Sequence, residues 1–138
     1  MLIETVKKYY DKSFNLNCAE TIVYAANEEY NLNLNRDALK MMASFGGGMG
    51  IESICGAITG SLSVLGIMFV KEKGHESNFI KSLSREFFQR FEAKFGTKDC
   101  DQLKAKYRND EIRCSIMIYK AAEVLDEIIK ENEEKRVK

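Results

Sequence analysis

Proline is absent from all 138 residues, histidine occurs once and cysteine four times. Without proline the chain lacks its strongest helix breaker, and apolar positions recur at helical spacing almost throughout, so the sequence predicts an all-α protein that needs no strand. Net charge is missing as well. The 21 basic and 21 acidic residues are interspersed and leave no electrostatic footprint for nucleic acid, nor one that favours a membrane partner. His75 lies alone in the polar turn Lys73-Gly74-His75-Glu76, with no Glu-xx-His or His-xxx-His spacing, which gives no support to a histidine-based zinc or non-haem iron centre. No serine sits in a nucleophile elbow, and carboxylate pairs such as Glu28-Glu29 read as solvated faces, so hydrolase chemistry is unsupported. The amino terminus has no basic start followed by an apolar core and a small-residue cleavage site, and the compartment expected from that is the cytoplasm.

What the sequence does contain divides into about five to seven helices packed as a compact single-domain bundle over residues 1–138. Leu2 to Tyr10 is amphipathic, and Asn17 caps a helix carrying Ala19, Ile22, Val23, Ala26 and Tyr30. Asn35 caps a short helix from Arg36 to Ser44, ended by Gly46-Gly47-Gly48-Met49-Gly50. Ser53 is read as the cap of a helix from Ile54 to about Val70, apolar nearly all round and rich in small residues, as a central helix buried by its neighbours would be. Ser77 opens a long helix with Phe79, Leu83, Phe87, Phe91 and Phe95 on or near one face, closed by Gly96. Thr97 caps a segment through Tyr107, and a last helix starts near Asn109 or Asp110 and presents Ile112 and Ile116, with a charged tail over residues 131–138 expected to fray.

On this map Cys18, Cys55, Cys100 and Cys114 each fall at or near the start of a helix. Unpaired N–H groups and the positive end of the helix dipole favour thiolate over thiol there. One buried cysteine alone would pass for a small hydrophobe, but four at helix starts and none elsewhere point to a shared role. No Cys-x-x-Cys occurs, so partnership has to be assembled by the fold. The spacing leaves open two long-range disulfides, one redox pair with two bystanders, or a metal centre, zinc or iron–sulfur, in which all four thiolates are ligands. Cys100 and Cys114 are the easiest pair by separation.

The glycines have a place in either chemistry. A phosphate loop is disfavoured, since no strand precedes Gly46 and no Gly-Lys-Ser/Thr follows. Gly46, Gly47, Gly48 and Gly50, together with Gly56, are expected instead to line the sulfur site and let backbone amides approach it. Gly56 and Gly60 form a low face on which another helix packs closely. The apolar stretch Ile54–Val70 is diluted by glycines, a threonine and serines, which favours a buried core helix over a membrane span.

Asn17-Cys18-Ala19-Glu20, Phe45-Gly46-Gly47-Gly48-Met49-Gly50, Cys55-Gly56-Ala57-Ile58-Thr59-Gly60, then Cys100 and Cys114, together resemble the redox-active proteins named for their C-GCAxxG-C-C cysteine pattern. The resemblance covers nearly the whole chain and matches all four family cysteines. It implies an all-helical redox-active protein. Electron transfer or thiol–disulfide exchange through Cys18, Cys55, Cys100 and Cys114 is then the expected chemistry, with a redox partner protein or a small thiol as counterpart. The rival expectation is a non-catalytic helical module with structural zinc or core cysteines, whose glycine-faced helix mediates homo-oligomerisation.

Overall fold

The computed structural model describes residues 1–138 and is built from seven α-helices with no strand: α1 (Leu2–Tyr9), α2 (Cys18–Glu29), α3 (Arg36–Lys40), α4 (Gly56–Phe69), α5 (Asn78–Phe95), α6 (Cys100–Tyr107) and α7 (Ser115–Glu131). Local chemistry sets most of their ends. Asn17 accepts a hydrogen bond from the Glu20 amide at 2.8 Å while Glu20 accepts one from the Asn17 amide at 3.0 Å, a reciprocal capping box at the start of α2. Ser77 Oγ accepts from the Ile80 amide at 3.0 Å to start α5, and Gly96, at φ 75°, stops it in the left-handed conformation that suits glycine.

The core forms where the apolar stripes of these helices meet. α4 packs against α2, α5 and α7, and α1 closes over α2 and α7. Phe87, Phe91 and Leu83 of α5 are buried with Ile58, Leu65 and Met68 of α4 and Ile118, Leu125 and Ile128 of α7. Burying each such side chain favours folding by roughly 1.5–3 kcal/mol. The phenylalanine stripe of α5 is therefore core. The buried polar side chains are satisfied locally: Thr21 donates to the Asn17 carbonyl, Ser61 to the Ala57 carbonyl, and Asp126 accepts from the Tyr30 hydroxyl at 2.6 Å.

Four boundaries differ from the sequence expectation. α6 starts at Cys100 with Asp99 and not Thr97 at its N-cap, and Thr97 Oγ1 instead accepts from the Asp99 amide at 3.1 Å. α3 ends at Lys40, four residues short of Ser44, and a turn with a short 3₁₀ segment, Ala43–Phe45, completes the connection. α4 starts at Gly56, with Cys55 and not Ser53 at its N-cap, because Ile54 pairs with Asp99 in an antiparallel bridge: the Cys55 amide donates to the Lys98 carbonyl at 2.9 Å and the Cys100 amide to the Ser53 carbonyl. α7 starts at Ser115, five residues after Asp110. Asn109 Oδ1 accepts from the amides of both Glu111 and Ile112 at 2.9 Å, and Arg113 turns to φ 52°, so residues 109–113 form a side-chain-capped turn and leave Ile112 exposed. At the other end, the Val137 amide donates to the Met68 carbonyl at 2.7 Å. No helix is long and apolar enough to cross a membrane.

Candidate redox site

All four cysteines sit on a helix start, Cys18 where the sequence reading placed it and the other three closer than it placed them. Cys18 and Cys100 are the first residues of α2 and α6, and Cys55 and Cys114 are the N-caps of α4 and α7. The fold points these four ends at one another. Every one of the six cysteine pairs is within electrostatic reach, so that a charge on any sulfur is felt by the other three.

Glycines make that convergence sterically feasible. A Cβ on Gly60 would lie 2.7 Å from the Ala19 carbonyl oxygen, and one on Gly56 would lie 3.1 Å from Cys18 Cβ and 3.0 Å from the Phe45 carbonyl oxygen. The low face of α4 is thus filled by the first turn of α2 in the same chain, which brings Cys18 up to α4. Gly48 is more confined: a Cβ there would lie 2.4 Å from the Ser53 amide nitrogen and 2.7 Å from Cys100 Cβ. Gly46 lies under Asn17, whose Nδ2 donates to the Ala43 carbonyl at 2.9 Å. Gly47 reaches the wall of the cavity described below, while the position a Cβ would take at Gly50 is open. Gly47, Gly48, Met49 and Gly50 all have positive φ, so the glycine run is a left-handed turn that wraps past Cys100.

The four thiols differ sharply in environment. Cys55 is 5% exposed and belongs to the core; burial pushes its thiol up to about 12, and the Ala57 and Ile58 amides that face its sulfur oppose this without forming a cap hydrogen bond. Burial also raises Cys100, with Lys104 pulling the other way. Cys18 is raised, first because its thiol donates to the Cys114 sulfur and then by burial. Cys114 alone is lowered, to about 6, first by that hydrogen bond from Cys18 and then by the positive charges of Arg108 and Lys104, against the effect of burial. The expectation that every helix start would favour a thiolate therefore holds only at Cys114. At the other three sites desolvation, or at Cys18 the proton shared with its neighbour, outweighs a dipole effect typically worth 0.3–1 kcal/mol (order of magnitude). Cys18 is the first influence on Cys114, and Cys100, which shares the cavity wall, lies within electrostatic reach of both.

Tyr10, at the end of α1, fixes Cys114 in place. The Cys114 amide donates to the Tyr10 hydroxyl oxygen at 3.0 Å, while Arg113 donates to the Tyr10 carbonyl at 2.6 Å and stacks 4.0 Å above its ring. Burial pushes the Tyr10 phenol up to about 12, which keeps it neutral. A cavity of about 240 Å³ opens here, with Cys18, Cys100 and Cys114 in its wall beside Lys104, Arg108 and Arg113. Cys55 lies behind that wall. Tyr10 and the three cations were missed in the sequence. Lys104 and Arg108 follow Cys100 at four-residue intervals, the spacing of one helix face, whereas nothing local marks Tyr10. His75 is far from this chemistry, exposed in a 3₁₀ turn.

No group of three or more His, Cys, Asp or Glu side chains is placed to hold a metal ion. Three of the four cysteines, Cys18, Cys100 and Cys114, face one cavity, and Cys114 is the one whose thiol is lowered.

An all-helical fold that gathers four cysteines from four helix starts defines a class of thiol-bearing bundle. The model of the family described as "Putative redox-active protein (C_GCAxxG_C_C)" matches residues 16–128, and the chain belongs to that family. Among curated proteins and among solved structures nothing matches it.

Proposed function

We propose that the protein carries out thiol–disulfide exchange with Cys114 as the attacking sulfur and Cys18 as the resolving one. The observation that carries this reading is that Cys18 and Cys114 line the same cavity and that each is the first influence on the other's ionisation, raising Cys18 and lowering Cys114. A thiolate attacks a disulfide, and a second thiol beside it completes the exchange.

The Cys114 thiolate attacks one sulfur of a substrate disulfide; a bond forms between Cys114 and that sulfur, the substrate S–S bond breaks, and the other half leaves as a thiolate. Cys18 then attacks the Cys114 sulfur, the Cys18–Cys114 bond forms, and the held half departs, taking up the proton that Cys18 loses. The substrate has gained two electrons and the protein has lost two. Arg108 and Lys104 stabilise the attacking charge, while Tyr10 and Arg113 hold the amino end of α7 so that the two sulfurs stay opposed. Cys100 beside the pair in the cavity wall and Cys55 behind it adjust its potential through their proximity.

A Cys18→Ser protein treated with excess small disulfide will stall at the first step. Mass spectrometry of the intact protein is expected to show a stable adduct of one disulfide half on Cys114, whereas wild type will lose two hydrogens and carry no adduct. An adduct on Cys100 or Cys55 in place of Cys114 would contradict the assignment.

A further inference from the structure

Resting on the exchange chemistry above, we propose that the substrate is a small disulfide carrying negative charge, bound with its anionic arm against Lys104, Arg108 and Arg113. The chain as a whole is neutral, yet the cavity beside Cys114 is walled by these three cations and by no carboxylate. That is a local concentration of one charge sign at the reacting atom, and such a concentration raises the local population of oppositely charged ligand.

The cations are only loosely committed elsewhere. Lys104 pairs with Glu52 at 3.5 Å and Arg108 with Asp110 at 3.8 Å, both at the surface where such pairs contribute little. Glu52 and Asp110 approach from outside the cavity wall, and a ligand carboxylate can replace either. Arg113 has one nitrogen on the Tyr10 carbonyl and its plane on the Tyr10 ring, so it is held rigidly rather than neutralised. Size narrows the class further. At about 30 Å³ per water, the cavity of about 240 Å³ has room for the volume of roughly eight waters. It takes one arm of a low-molecular-weight disulfide, and it is smaller than the roughly 300–1,000 Å³ of drug-sized ligand sites.

The same cations also lower Cys114, which would speed attack on any disulfide alike. Recognition, by contrast, separates substrates by charge. The discriminating measurement is the rate of reduction of three probes by the intact protein: dithiodiglycolate, which is dianionic, bis(2-hydroxyethyl) disulfide, which is neutral, and cystamine, which is dicationic. Each rate is divided by that of a simple thiol with the same probe and pH. At low ionic strength dithiodiglycolate is expected to lead the neutral probe by about tenfold or more, with cystamine slowest, and the lead will shrink as salt rises. Lys104→Gln is expected to remove most of the lead while slowing all three probes by a common factor, and Lys104→Arg to restore it. Equal normalised rates for the three probes, or a lead for cystamine, would overturn the charge selectivity and leave thiol exchange standing. Failure to reduce any of the three would instead overturn the exchange reading, and with it this one.

Discussion

A Cys114→Ser protein will lose the fast phase of thiol alkylation at pH 6. The Cys114 thiol is lowered to about 6, so its thiolate is present above that pH and is lost as the pH falls through it, whereas the other three thiols are raised above the ordinary value of 9.0. At pH 6 half of Cys114 is then ionised, against roughly one part in a thousand for a thiol near 9. A less basic thiolate is intrinsically less nucleophilic, which returns a factor of about twenty across three pKa units. A net advantage of about twentyfold or more remains, widened by the burial of Cys55 and Cys100. Early-time iodoacetamide labelling read by peptide mass spectrometry should place the first label on Cys114, and the Cys114→Ser protein should label at least about twentyfold more slowly. Equal labelling of the two proteins at pH 6 would show that Cys114 is an ordinary thiol.

The second large effect concerns Gly48. Replacing it with alanine sets a Cβ 2.4 Å from the Ser53 amide nitrogen and 2.7 Å from Cys100 Cβ, at a φ of 62°. Left-handed backbone costs a side-chain-bearing residue roughly 1–2 kcal/mol, and forcing atoms into a packed site typically costs a further 1–3 kcal/mol (order of magnitude). Gly48→Ala is thus expected to destabilise the fold by about 3 kcal/mol and to move Cys100 off the cavity wall. Gly50→Ala is the natural comparison, because its φ is 76° but nothing lies near its Cβ position; it should cost about 1–2 kcal/mol. Urea denaturation of the two variants measures the difference. Equal destabilisation would mean that the contact with Ser53 and Cys100 does not hold the turn against the site.

These two residues also mark how much could be read without the fold. Asn17, Ser77 and Gly96 were legible as helix ends because their chemistry is local: a side-chain cap or a left-handed stop acts within four residues. The start of α7 was not, since Ile112 and Ile116 at four-residue spacing imitate a helix face, while the turn is imposed by the Asn109 side chain and by Tyr10 about a hundred residues away. The importance of the four cysteines was visible in their placement. That Cys18 and Cys114 share a cavity wall was not, because it follows from the packing of α1 and α2 against α7. Ionisation was misjudged for a related reason: a helix amino terminus is apparent in sequence, but the burial that outweighs it at Cys55 and Cys100 is a property of the assembled core. The cationic wall shows the reverse case, in which the spacing of Cys100, Lys104 and Arg108 held a signal that only the cavity makes meaningful.

The most direct test of the account is to equilibrate the reduced protein with glutathione buffers of graded potential, trap remaining thiols by acid and alkylation, and map the bonds by peptide mass spectrometry. The account predicts one reversible two-electron step whose product is a Cys18–Cys114 disulfide. A first-formed bond between any other two cysteines, or no reversible step at all, would contradict it.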